Sequence, residues 1–179
     1  MESDNTMNQS LRQRSTLIAI LAAVAVPIHL WALLMTAATV PQWLLRLNTM
    51  QLLGSISYSL LFALLETLIV FAVVLLLLLI LPKRLIGANP IPWAAVAVAL
   101  TLLLMVFVIF TPFVQQTRLI IGFLVYLVLL VAGTIALRRN SRLARGVAAV
   151  VDRLIPLAVL YIILDILAVI VVLIRNVTA

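Results

Sequence analysis

Five times along this chain an apolar run continues for about twenty residues, and no other feature restricts the possible folds so strongly. A helix rises about 1.5 Å per residue, so about 20 residues cross the roughly 30 Å of hydrocarbon in a bilayer. The runs are Leu17–Ala38, Ser57–Leu81, Trp93–Phe113, Leu119–Leu137 and Leu154–Ile174. They are continuous and Leu-rich, as from Leu75 to Leu79, instead of alternating with period two, which excludes a closed barrel. The fold class expected is an all-α integral membrane protein with five transmembrane helices. Composition agrees, with 66% hydrophobic and 9% charged residues against about 45–50% and about 25% in soluble domains. The net charge of +7 does not indicate nucleic acid, because so few charges in so much apolar sequence fit a membrane surface better. With no cysteine, disulfides, thiolate metal sites and cysteine nucleophiles are excluded.

The basic residues are sorted by side, which sets the orientation. Arg12, Arg14, Lys83, Arg84, Arg138, Arg139, Arg142, Arg145 and Arg153 fall on one side of the five spans, and Arg46, Arg118 and Arg175 on the other. The N-terminus is expected inside and the C-terminus outside, in a plasma or inner membrane. Arg12 and Arg14 could open a cleaved signal peptide, with Ala37 and Ala38 near its end. The apolar stretch is longer than the usual 7–15 residues or so, and Pro27 and His29 interrupt it. An uncleaved signal-anchor helix is expected instead. Residues 1–15, rich in Ser, Asn and Gln, read as a disordered cytoplasmic tail ahead of a single domain over 16–179.

Two connections carry pattern. From Pro41 to Gly54, Trp43, Leu44, Leu47 and Met50 fall on one helical face and Gln42, Arg46 and Thr49 on another, which predicts a short helix in the outer interface. From Arg138 to Arg153, Arg138, Arg142 and Arg145 recur at helical spacing opposite Leu143, Val147, Val150 and Val151, with Arg139 beside them. That pattern predicts a cytoplasmic interfacial helix drawn to anionic headgroups, or a docking site for another subunit. Pro82–Pro92 predicts a tight cytoplasmic link, and Thr111–Arg118 a short outer turn.

Charge at mid-bilayer costs at least about 2.5–3.5 kcal/mol per group, so an ionisable residue inside a span needs a reason to be there. By helical rise, His29 lies roughly 18 Å from Leu17, Glu66 roughly 22 Å from Leu81 and Asp165 roughly 16 Å from Leu154. Tyr126, roughly 12 Å from Arg118, shares their layer. Ala22, Ala25, His29, Ala32 and Thr36 form a stripe of small residues on the first span, and Ala158, Tyr161, Asp165 and Ala168 repeat it on the last. Gly122, Tyr126 and Gly133 do the same on the fourth. Such stripes let helices approach closely. Ser55, Ser59 and Glu66 run down one side of the second span from the outer surface. The cluster predicts interhelical pairing that fixes the packing, or a proton or cation pathway, or a metal site. The last lacks paired ligands, since the chain has one histidine, and neither a metal nor another cofactor is expected.

Phosphate loops and the Ser-x-x-Lys, Gly-x-Ser-x-Gly and His-Glu-x-x-His motifs are absent from the sequence, so no enzymatic activity is expected. Five spans do not divide into two equal inverted halves, as a common transporter design requires. In topology the chain is similar to the membrane portion of lipoteichoic-acid-synthase-type and phosphoethanolamine-transferase enzymes. No residues can be matched to that group, and the likeness implies at most an outer-facing, lipid-related surface. The function expected is a non-enzymatic scaffold or accessory subunit of a membrane complex, in contact with other subunits or with its own copies. The alternatives are a proton- or cation-coupled carrier centred on His29, Glu66 and Asp165, or a lipid-binding or lipid-modifying protein using the outer face below Ser55 and Ser59.

Overall fold

The computed structural model describes residues 2–82, 86, 89–111 and 116–178. Their secondary structure is helical throughout: α1 (Glu2–Leu44), α2 (Thr49–Ile80), α3 (Pro90–Phe110), α4 (Gln116–Arg139) and α5 (Ser141–Thr178). Each is long and apolar enough to cross a membrane, so all five expected spans are present as helices.

Asparagines set three of the starting points. Asn48 Oδ1 accepts from the Gln51 N–H at 2.9 Å while Gln51 Oε1 accepts from the Asn48 N–H at 3.1 Å, a reciprocal cap on α2. Asn89 Oδ1 accepts from the Ile91 N–H at the start of α3, where Pro90 needs no donor partner. Asn140 Oδ1 accepts from Arg142 N–H and Leu143 N–H at the start of α5. A side-chain oxygen at this position satisfies backbone donors that a helix end leaves open.

These caps redraw the connections. Pro41–Gly54 forms no helix of its own: Pro41–Leu44 completes α1, and Thr49–Gly54 opens α2 after the Asn48 cap. The basic segment is likewise divided. Arg138 and Arg139 end α4, Asn140 interrupts, and Arg142, Arg145 and Arg153 lie in the first turns of an α5 that continues unbroken through Pro156. Each patterned segment is thus split between the ends of two long helices. At the N-terminus the backbone of α1 is helical from Glu2, within the stretch read as a tail; no Gly or Pro precedes Pro27 to break it. Much of the two short connections, residues 83–85, 87–88 and 112–115, lies outside the described residues.

α1 occupies the middle. Ile20, Val24 and Ile28 on one side meet Ala63 and Val74 of α2 and Trp93, Ala94, Ala97 and Val98 of α3. Ala22 and Val26 meet Ala158 and Tyr161 of α5. Ala19 and Ala23 meet Val151 of α5, with Ile91 and Ala95 of α3 packed alongside. Two of the three expected small-residue stripes are therefore inside: Ala22, Ala25, His29 and Thr36 on α1, with Ala32 partly buried, and Ala158, Tyr161, Asp165 and Ala168 on α5. The stripe of Gly122, Tyr126 and Gly133 on α4 is not buried. α4 packs at the periphery against α3 and α5, and none of its residues is buried. Gly122 leaves room there for the Phe107 ring, and Gly133 for Val96.

Candidate functional site

α1, α2 and α5 converge on His29. Both carboxylate oxygens of Asp165 lie 3.0 and 3.1 Å from its Nε2. Its Nδ1 lies 2.9 Å from the Ala25 carbonyl oxygen, one helical turn back. A carbonyl can only accept, so Nδ1 carries a proton. Thr67 Oγ1 of α2, 3.4 Å from the same nitrogen, is a second acceptor. Nε2 and the carboxylate then share one further proton. Whether it resides on nitrogen or oxygen, the pair as a whole carries no net charge.

The pair is sealed. His29 is 1% exposed and Asp165 3% exposed. The Tyr161 ring stacks on the imidazole with centroids 5.0 Å apart and planes 15° from parallel. Tyr161 and Asp165 are one turn apart on α5, so a single helical face supplies both the ion partner and the stacking partner. The small residues at Ala22, Ala25 and Ala158 bring the backbones close enough for these short side chains to meet. Among the described residues this is the only ion pair.

Other members of the expected cluster lie elsewhere. Glu66 is half-buried on the flank of α2 and has no hydrogen-bond or ion-pair partner among the described residues. Tyr126 pairs through its hydroxyl with Thr101 of α3 at 3.2 Å, which ties α4 to α3 and not to the centre. Ser55 and Ser59 donate to carbonyls of their own helix, Gln51 O and Ser55 O, so neither hydroxyl needs a bound molecule. Arg138, Arg139, Arg142, Arg145 and Arg153 are exposed at one end of the bundle. Among the described residues no three His, Asp or Glu side chains converge as metal ligands would.

Thr67 belongs to the cluster and Glu66 does not, a distinction the charge of Glu66 obscures. The signal lies in the spacing of small residues: Gly54, Ser57, Leu60, Ala63, Thr67 and Val74 form the buried face of α2, and that phase includes position 67. A second contact is invisible in the sequence. At the opposite end from the arginines, the Arg175 guanidinium of α5 packs into the space beside Gly54 and 5.9 Å from the centre of the Tyr58 ring. Tyr58 Oη donates to Asn176 Oδ1 at 3.4 Å. A single arginine there reads as an isolated charge until α2 and α5 are placed together.

Compared with known proteins, the chain matches no family model, no curated protein and no solved structure.

Proposed function

We propose that this is a multi-pass membrane protein without enzymatic activity, N-terminus inside and C-terminus outside, serving as a scaffold or accessory subunit of a membrane assembly. The observation that carries this reading is the enclosure of His29 and Asp165. A transport site must exchange protons or ions with water, whereas this pair is buried, mutually bonded and packed under Tyr161. Its chemistry suits the fixing of three helices in one register. The largely exposed α4 and the flank of α2 carrying Glu66 leave broad surface for neighbouring chains. Arginines at the end of α4 and the start of α5 lie where positive-inside bias and anionic headgroups place them.

The full chain, reconstituted into liposomes, is expected to leave imposed pH and cation gradients intact. Extracted in mild detergent, it is expected to run larger than a single chain, and Asp165→Leu is expected to reduce that assembly or its thermal stability. A stable, monodisperse monomer indifferent to the change would remove the scaffold reading. One observation favours a carrier as the second reading, namely the carboxyl of Glu66 at membrane depth, which has no partner among the described residues. Collapse of a gradient by the native chain, abolished in Glu66→Gln, would put the carrier in first place.

A further inference from the structure

At the arginine-rich end a cavity of about 360 Å³ opens between the start of α3, the end of α4 and the start of α5. Its volume falls within the range of ligand sites, about 300–1,000 Å³. Trp93 and Leu137 form apolar wall, and Asn89, Arg138, Ser141 and Arg145 bring polar groups to it. We propose that this cavity holds the phosphate of an anionic membrane lipid.

Four features support that occupant. Arg138 and Arg145 come from different helices and both line the same cavity, and neither has a carboxylate partner among the described residues. Arg145 Nε donates to the Ser141 carbonyl at 3.3 Å. That bond anchors the guanidinium along α5 and leaves its terminal N–H groups for a ligand. Asn89 Oδ1 already accepts from the Ile91 N–H, and the amide NH2 adds two donors. A cavity rich in donors selects an anion, and phosphate oxygens match the fork of an arginine. The apolar wall and the exposed apolar face of α4 beside it suit the acyl chains that a lipid phosphate carries. Arg139, Arg142 and Arg153 do not line the cavity. The proposal thus separates two arginines from their neighbours in a segment where all five would otherwise be equivalent. It rests on membrane residence but not on the scaffold reading, since a carrier could hold the same lipid.

Two double variants of equal charge provide the test. Full-length native protein, Arg138→Gln/Arg145→Gln and Arg139→Gln/Arg142→Gln are purified in detergent and titrated with phosphatidylglycerol, phosphatidylcholine or inorganic phosphate. Retained lipid is counted by native mass spectrometry. The native chain should retain phosphatidylglycerol over phosphatidylcholine. At about tenfold per charge-assisted hydrogen bond lost, the first variant should lose roughly 100-fold in phosphatidylglycerol affinity, whereas the second should lose only the general attraction, about fivefold per arginine. Equal losses would mean general surface attraction and would overturn the site, as would no loss in either. Binding of inorganic phosphate as tight as that of the lipid would overturn the lipid as occupant. A further measurement leaves the arginines in place. With Trp31 and Trp43 replaced by Phe, brominated phosphatidylglycerol should quench Trp93 more strongly than brominated phosphatidylcholine, and equal quenching would count against the proposal.

Discussion

A histidine inside hydrocarbon needs partners for both ring nitrogens, and His29 obtains them from three helices: Ala25, Thr67 and Asp165. Removing one member of a buried pair strands the other, which costs about 3–5 kcal/mol, whereas replacing both with apolar residues is often neutral or stabilising. His29→Leu and Asp165→Leu should each lower unfolding stability in detergent by that amount, and the double variant should recover most of it. Strictly additive losses would show that the two residues do not act as a unit. Thr67→Ala should cost only about 0.6 kcal/mol, the average for an interhelical hydrogen bond in membranes. At this scale the sequence was a good guide to His29 and Asp165, because ionisable groups in apolar helices are conspicuous and the small residues around them mark a packed face. It did not show that Tyr126 pairs with Thr101 or that Glu66 lies off the His29 contact. Depth along a helix can be counted from its ends, but azimuth depends on which neighbour lies opposite, and one residue of phase separates Glu66 from Thr67.

Whole helices were legible wherever apolar length alone decides, and less so at their ends. The ends of α3 and α4 lie within three residues of the apolar runs, whereas α1 continues to Leu44, α2 begins at Thr49 and α5 begins at Ser141. Asn48, Asn89 and Asn140 each cap a helix, a local hydrogen-bonding signal that competes with a periodic apolar pattern and prevails at the connection. Asn48→Ala should cost about 1 kcal/mol by opening the start of α2. The α3–α4 hairpin depends on a close approach at Gly122, where an added Cβ would run into the Phe107 ring. Phe107 is partly exposed and can swing aside, so Gly122→Ala should cost about 1 kcal/mol, the low end for overpacking. Loss of near-ultraviolet signal at lower temperature, with helix content unchanged, would be the corresponding observation.

For the molecule as a whole, the absence of cysteine permits single-site labelling of topology. A cysteine at position 8 should react with a membrane-impermeant thiol reagent only after the membrane is opened, and one at position 177 should react from outside in intact cells. The reverse pattern would invert the proposed orientation. Overall architecture was only half visible in the sequence: the number of helices follows from hydropathy, but the central place of α1 and the peripheral place of α4 come from which stripes of alanine meet. The His29–Asp165 contact bridges 136 positions of sequence, and this spacing has a consequence for biogenesis. Ribosomes deliver α1 long before α5, so for most of synthesis the imidazole resides in the bilayer without its acid. During that interval Nδ1 can still bond the Ala25 carbonyl of its own helix, but Nε2 lacks the partner it has in the folded chain. Arrival of the last helix supplies that partner, so closure of the central contact is a late event that waits for the whole chain.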